Sequence, residues 1–205
     1  MRNDERLQEH ARFTVRQRTA RTVGQYVVTV AGKGDAEGEV VAFARRKVMS
    51  LKEEMTIYTD ESRTSVLCTS EARQVDDFGA VHDVRDSAGA VIGSFRERPV
   101  VSLVRSAWTM EQPGTPELTG RERSWAVALL RRVWEFLPYV EFVPFLWPYH
   151  FDFFDSTATG GAKRLMSFDR KFGLRDRYVL DIASADIDRR LAIAQAVALD
   201  TLEER

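Results

Sequence analysis

The sequence predicts a mainly β protein of the α+β class, built as a closed antiparallel β-barrel around a central hydrophobic C-terminal helix. Between residues 13 and 110, short runs of alternating apolar and polar residues are separated by turn residues at close intervals, which is typical of all-β domains. Later in the chain, residues 191–199 are apolar on every face of a helix except at Gln195. Such a helix must be surrounded by protein, and a closed sheet can surround it.

The first strand pair flanks a glycine-rich turn. Tyr26, Val28 and Val30 lie on one face of a strand, the turn covers residues 32–38, and a second alternating run follows it. Residues 82–95 repeat this order of strand, polar turn ending in glycine, and strand. Because β-hairpins in general share this order, the repeat indicates consecutive hairpins and nothing more specific.

A change of composition after residue 110 marks an inserted segment. Residues 111–116 contain two prolines, and Thr119-Gly-Arg-Glu122 has the S/T-x-x-E form of a capping box, which predicts that a helix begins there. The apolar residues between 125 and 137 then fall on one arc of a helix. We therefore predict an insertion over residues 118–154 whose amphipathic helix packs on the barrel wall.

Aromatic residues are concentrated over residues 134–154. Pro144 and Pro148 interrupt this stretch and argue against one continuous central strand. So many aromatic side chains are expected to lie in the core, at a self-association interface or at a membrane surface. The residues predicted to make membrane or interface contact are Trp134, Phe142, Phe145 and Trp147.

Residues 163–177 hold six basic and two acidic residues, with Phe168 and Phe172 between them. This stretch is the best candidate in the chain for binding an anionic lipid headgroup. The alternative is an ordinary solvated face of a strand pair. With two arginines of the predicted helix, the candidate lipid-binding residues are Arg131, Arg132, Lys163, Arg164, Arg170, Lys171 and Arg175.

The order of these features resembles the tubby C-terminal-like superfamily, in particular its LURP-one-related and phospholipid scramblase branch. The resemblance lies in residues 48–58, 82–96, 105–108 and 186–200, and it spans residues 13–202. It implies a single barrel domain of about twelve strands over residues 13–202, preceded by a flexible segment, residues 1–12. Barrel closure of this kind leaves no open sheet edge.

The resemblance also implies a connection with lipids. Tubby-type domains bind phosphoinositides through basic residues on the barrel exterior, whereas scramblases move phospholipids between leaflets and carry an acidic calcium-binding segment before the last helix. Here that segment contains only Asp181, Asp186 and Asp188, too few for the six to eight oxygens that calcium takes. With so few oxygen ligands, we expect no metal site. A scramblase-like activity would also require the last helix to enter the bilayer, which the barrel excludes.

Few residues offer catalytic chemistry. His150 and Asp152 would lie on the same face of a strand, but no nucleophile or third ligand is near them in the sequence. Cys68 lies in an apolar run and is expected to be a buried hydrophobic residue instead of a reactive thiol. We expect no enzymatic activity and no cofactor.

The composition limits the remaining classes of function. A formal net charge of -1 argues against a nucleic-acid partner, and one cysteine excludes an internal disulfide. No secretory signal or spanning helix is evident, so we expect a cytoplasmic protein, peripheral on the membrane if it binds lipid. The preference for arginine over lysine is typical of a GC-rich bacterial genome. The expected function is non-enzymatic binding of anionic phospholipid, and the alternative is a soluble module that self-associates through the aromatic segment.

Overall fold

The computed structural model describes residues 3–19, 23–47, 54–76, 79–98, 107–123, 150–157, 163–171 and 177–202. Two helices and twelve strands account for most of them. In chain order the elements are α1 Asn3–Gln8, β1 Arg12–Thr19, β2 Val23–Ala31, β3 Glu37–Lys47, β4 Glu54–Tyr58, β5 Val66–Asp76, β6 Gly79–Asp86, β7 Val91–Arg98, β8 Ala107–Glu111, β9 Leu118–Glu122, β10 His150–Asp155, β11 Arg164–Lys171, β12 Arg177–Ile182 and α2 Arg189–Leu202.

The twelve strands form one closed antiparallel barrel, as predicted. Each strand pairs with its neighbours in the sequence, and β1 pairs with β12 to close the sheet. In that closing pair Phe13 lies opposite Leu180 and Val15 lies opposite Tyr178, and all four side chains are buried. Since side chains alternate between the two faces of a strand, the residues next to these four belong to the outer face, where Arg12, Arg16 and Arg177 are at least partly exposed. Thr14 and Val179 on the same face are buried.

Helix α2 fills the barrel. Residues 191–197 and Leu199 have no exposed surface, which confirms the prediction made from their apolarity. Gly93 on β7 shows how close the sheet comes, because a Cβ atom at that position would lie 2.5 Å from Cδ2 of Leu191. Any larger side chain there would collide with the helix.

The prediction that a helix begins at residues 119–122 is wrong. Residues 118–122 form strand β9, which pairs with β8 on one side and with β10 on the other. The capping-box pattern is a local signal, and pairing on both edges of the segment outweighs it. Strand β10 likewise places Phe151 and Phe153 in the core, so the core alternative is correct for this end of the aromatic segment. The rest of the predicted insertion lies outside the described residues.

The segment that we predicted to be flexible contains helix α1. Its Leu7 is buried against the core, and Gln8 hydrogen-bonds to the loop before α2. Asp188 caps the start of α2, because its Oδ1 accepts a 2.9 Å hydrogen bond from the backbone N–H of Arg190.

Candidate functional site

The described candidate lipid-binding residues lie at the two ends of β11. Lys163 and Arg164 are exposed at its start, and Lys171 is at its end, so about 23 Å of strand separates Arg164 from Lys171. Arg170 is half-buried beside Lys171. Of the other candidates, Arg131, Arg132, Trp134, Phe142, Phe145, Trp147 and Arg175 lie outside the described residues. The basic stretch is therefore divided between two places on the barrel.

Phe168 does not belong to a membrane-facing surface. It has no exposed area, and its ring stacks on Tyr178 with the centroids 4.8 Å apart. It is a core residue, and the expectation that it contributes to a headgroup site is wrong. The inward position follows from strand alternation between the polar residues 167 and 169. Phe172 lies outside the described residues.

Near Asp169 of β11, a cluster of acidic and basic side chains lies on the outside of β10 and β11, and Arg164 reaches it from the other end of the strand. Arg123, directly after β9, donates from Nε and Nη2 to the two carboxylate oxygens of Asp152, both at 2.7 Å. Its Nη2 is also 3.1 Å from Asp169, whose Oδ1 is 2.7 Å from Nδ1 of His150. Arg164 adds a longer ion pair to Asp152 at 3.6 Å. The cations here are therefore matched by carboxylates.

The pairing fixes the charge state of Asp152. Burial on its own would raise the pKa of this carboxyl, but the hydrogen bond and charge of Arg123, with the charge of Arg164, hold the pKa below its ordinary value. His150 and Asp152 share a face as predicted, yet each is bonded to a different partner. They form no acid–base pair with each other.

At the Lys171 end, three cations lie side by side on the outer face. Arg16 of β1 is opposite Arg177 of β12, and Arg177 is opposite Lys171 of β11. We call these three residues the cation row. Like charges directly opposite each other on a sheet repel and destabilise it unless counter-charges are near.

The counter-charges come from the hairpin between β2 and β3. We call residues 32–36 the hairpin tip. Its Asp35 forms ion pairs with Nη2 of Arg12 at 2.7 Å and with Nζ of Lys171 at 3.0 Å. Glu37, the first residue of β3, lies 3.3 Å from Nε of Arg16. The side chain of Arg177 forms no ion pair with another described residue, and its charge acts on Asp35 at longer range.

The hydrogen bond from Lys171 is the main reason that the pKa of Asp35 lies below its ordinary value. Partial burial opposes this effect, and the charges of Lys171, Arg12 and Arg177 add to it. Asp35 is therefore a carboxylate held ionised by three cations from three adjacent strands. Arg12 also lies 3.9 Å from a second acid, Asp181, at the limit of an ion pair.

Two irregularities bring the hairpin tip over the outer face of the barrel. The register of β2 and β3 shifts twice, between Val28 and Thr29 and between Thr29 and Ala31, and such bulges bend strands. Gly38 is required there, since a Cβ atom would lie 2.6 Å from the carbonyl oxygen of Val30. Within the tip, Asp35 has a φ of 62°, a left-handed conformation that aspartate tolerates better than most residues.

Of the acidic residues considered for calcium, Asp186 and Asp188 lie in the loop before α2, and Asp181 lies in β12. The carboxylate of Asp188 accepts hydrogen bonds from Gln8 and from the backbone and side chain of Arg190. Arg189 is buried, and its guanidinium donates to the carbonyl oxygens of residues 10, 184, 185 and 187. In this loop the guanidinium of Arg189 is the hydrogen-bond donor to the backbone carbonyl groups, and Arg190 neutralises the carboxylate of Asp188. This arrangement anchors the start of the central helix.

Two features of the described residues bear on function. No helix among them combines the length and apolarity needed to cross a bilayer. No group of three or more histidine, cysteine, aspartate or glutamate side chains in this part of the chain is arranged to hold a metal ion. Cys68 is fully buried, and burial raises the pKa of its thiol to about 12.

Sequence reasoning missed Arg12 and Arg16 as members of the site, and it missed the acids Asp35 and Glu37 that neutralise cations there. Arg177 lay within the predicted basic stretch but was not among the individual candidate residues. One signal was available: Arg12 and Arg16 occupy outward positions around the apolar Phe13 and Val15. Their proximity to Lys171 depends on the closure of the barrel by β1 and β12, which no local pattern indicates.

A closed meander of twelve antiparallel strands around a buried helix defines a tubby-like barrel. The family model of the LURP-one-related proteins (LOR) matches residues 40–200. The chain belongs to the LURP-one-related family and through it to the tubby-like superfamily. No curated protein matches the sequence.

Proposed function

We propose that this LURP-one-related barrel is a non-enzymatic protein that binds the surface of membranes containing anionic phospholipids. The observation that carries the proposal is the cation row, in which Arg16, Arg177 and Lys171 lie side by side on the outside of the sheet. Three adjacent cations on an outer face are an electrostatic arrangement suited to a negatively charged membrane.

The expected strength of this interaction is modest. Each basic residue near an anionic membrane contributes about 1 kcal/mol, and the attraction falls off within a Debye length of about 8 Å at physiological salt. Binding should therefore depend on the anionic lipid content and weaken as salt is added. The protein would be cytoplasmic and would associate with the membrane peripherally.

Catalysis is not part of the proposal. Arg123 binds the carboxylate of Asp152 and helps to hold the pKa of that carboxyl below its ordinary value, which makes Asp152 a poor proton acceptor. Lipid transport is also ranked below binding, because helix α2 is enclosed by the sheet. Self-association through the aromatic segment remains a prediction for residues outside the described part of the chain, and light scattering on the purified protein tests it.

Co-sedimentation with vesicles tests the binding proposal. The protein should sediment with vesicles of phosphatidylcholine plus phosphatidylserine, should stay in solution with phosphatidylcholine alone, and should be released by salt. Lys171→Gln and Arg177→Gln should each weaken the apparent affinity about fivefold, the equivalent of about 1 kcal/mol. Arg73→Gln is the matched control, since this exposed arginine lies on β5, five strands from β12 around the barrel.

Two results would contradict the proposal. One is the absence of salt-sensitive binding to the anionic vesicles. The other is an equal loss of binding in Arg73→Gln and in the cation-row variants, which would indicate a response to net charge and no defined surface. Circular dichroism and thermal melting of each variant establish that it is folded.

A further inference from the structure

We propose that Arg12, Lys171 and Arg177 form a site for the phosphomonoester headgroup of a phospholipid, and that Asp35 of the hairpin tip occupies this site until the lipid displaces it. The inference rests on the proposed function and specifies where the headgroup binds and what it must replace. The residues come from β1, β11, β12 and the β2–β3 hairpin.

The carboxylate of Asp35 spans a gap that suits a larger anion. Arg12 and Lys171 belong to strands on either side of β12, and Arg12 lies opposite Asp181 whereas Lys171 lies opposite Arg177, so their backbones are also offset by about 13 Å along the strands. Asp35 joins them by using one oxygen for each, at 2.7 Å and 3.0 Å. Both carboxylate oxygens are thereby engaged, and no second acid of the hairpin tip reaches Arg177.

The charges at the site are not balanced by Asp35 alone. Three cations surround the carboxylate of Asp35. Asp181 reaches only Arg12, at 3.9 Å, and the side chain of Arg177 has no ion-pair partner among the described residues. A phosphomonoester carries a charge of about −1.5 to −2 and three strong acceptor oxygens. It can bond Arg12 and Lys171 as the carboxylate does and still offer an oxygen to Arg177, with arginine well suited to that geometry.

The hairpin tip is built to be displaced. Lys33 and Gly34 are exposed, and the tip is a single 3₁₀ turn, Lys33–Asp35, with no buried residue. The ion pairs that join the tip to the barrel are those of Asp35 with Arg12 and Lys171, whose side chains are partly exposed, and such pairs stabilise a structure only weakly. The left-handed φ of Asp35 adds backbone strain that release of the tip would relieve.

The decisive variant is Asp35→Asn. Asparagine has nearly the same shape and also tolerates the left-handed conformation, so the turn is kept while the competing charge is removed. Glu117→Gln is the matched control: Glu117 is also a partly exposed acid in an ion pair, with Arg98 at 3.6 Å, and precedes β9 away from the site. Both variants change the net charge of the protein by the same amount.

Binding is measured with vesicles of phosphatidylcholine plus phosphatidic acid, a phosphomonoester, and with vesicles of phosphatidylcholine plus phosphatidylglycerol, a phosphodiester, at equal surface charge. We expect Asp35→Asn to strengthen binding to phosphatidic acid about fivefold, as expected for removing one competing charge at the surface. Glu117→Gln should leave it little changed. Arg177→Gln should abolish the preference for phosphatidic acid over phosphatidylglycerol.

The outcomes separate this inference from the proposed function. If the wild type binds anionic vesicles but Asp35→Asn behaves like Glu117→Gln or binds less well than the wild type, the Asp35 mechanism is wrong and the binding function stands. Equal binding of the two lipids overturns the phosphomonoester assignment. If soluble glycerol 3-phosphate at the same concentration as the lipid removes the protein from vesicles, the ligand is a soluble phosphomonoester and the lipid assignment is wrong. If neither wild type nor Asp35→Asn binds any anionic vesicle, both proposals fail.

Discussion

Replacing Gly93 by alanine tests how closely the sheet surrounds the central helix. The added Cβ atom would lie 2.5 Å from Cδ2 of Leu191 and 2.6 Å from the carbonyl oxygen of Glu111. The leucine side chain can rotate away, but the carbonyl oxygen belongs to the adjacent strand β8. We expect a loss of about 1–3 kcal/mol in the free energy of unfolding, the usual result of overpacking a core.

A second substitution makes the prediction specific to the helix. Leu191→Ala alone should cost about 2–5 kcal/mol, because Leu191 is fully buried and its removal leaves a cavity. In the double variant the methyl group added at position 93 enters that cavity. The two single losses should therefore add up to more than the loss in the double variant, by about 1 kcal/mol.

Chemical denaturation followed by tryptophan fluorescence measures these free energies, and each kcal/mol corresponds to about 2–4 °C in Tm for a chain of this size. Gly32→Ala is the control, since a Cβ atom there would meet its nearest atom at 3.4 Å, an ordinary contact. Strictly additive losses for Gly93→Ala and Leu191→Ala would refute the contact between the helix and β7.

Three further predictions concern buried polar groups. Burial alone would raise the pKa of Asp188, but hydrogen bonds and charge from Arg190 lower it overall. The stability that this ionised carboxylate provides is present above the ordinary pKa and is lost as the pH falls through the pKa of the folded state. Asp188→Asn should therefore flatten the acid limb of a plot of unfolding free energy against pH. Cys68, whose pKa is about 12, should resist iodoacetamide in the folded protein at mildly alkaline pH and react in urea, as mass spectrometry would show; modification without unfolding would contradict its burial. Gln195→Met should raise the free energy of unfolding by about 1–2 kcal/mol, because the buried amide has no partner among the described residues; a loss of stability would mean that the amide is hydrogen-bonded.

The sequence predicted the parts of the fold that depend on local pattern. Alternation identified strands such as the one that contains Tyr178, Leu180 and Ile182, and apolarity on all faces identified residues 191–199 as an enclosed helix. The same kind of reasoning failed at residues 119–122, where a helix-capping pattern occurs inside a strand. The capping pattern indicates only the hydrogen bonds that a segment can make within itself. The strand conformation of β9 depends on its backbone pairing with β8 and β10.

The candidate site was predicted only in part, for a reason of distance along the chain. Lys171 was identified from the charge of its own segment, but Asp35 and Arg12 meet it only after β1 pairs with β12. Charge composition indicates that cations are present without indicating which acids neutralise them. At Arg164 the acids belong to the same sheet region, and at Lys171 they belong to a hairpin from the start of the barrel.

The pairing of β1 with β12 also determines the order in which the protein can fold. The strand that closes the barrel follows the other eleven described strands, and the helix that fills it follows all twelve. During synthesis, the apolar inner face of the growing sheet therefore lacks the helix that covers it. Contacts between such distant segments make folding slow, and exposed apolar sheet favours aggregation in the meantime. Nascent chains of this protein should accordingly depend on chaperones until residue 199 has left the ribosome.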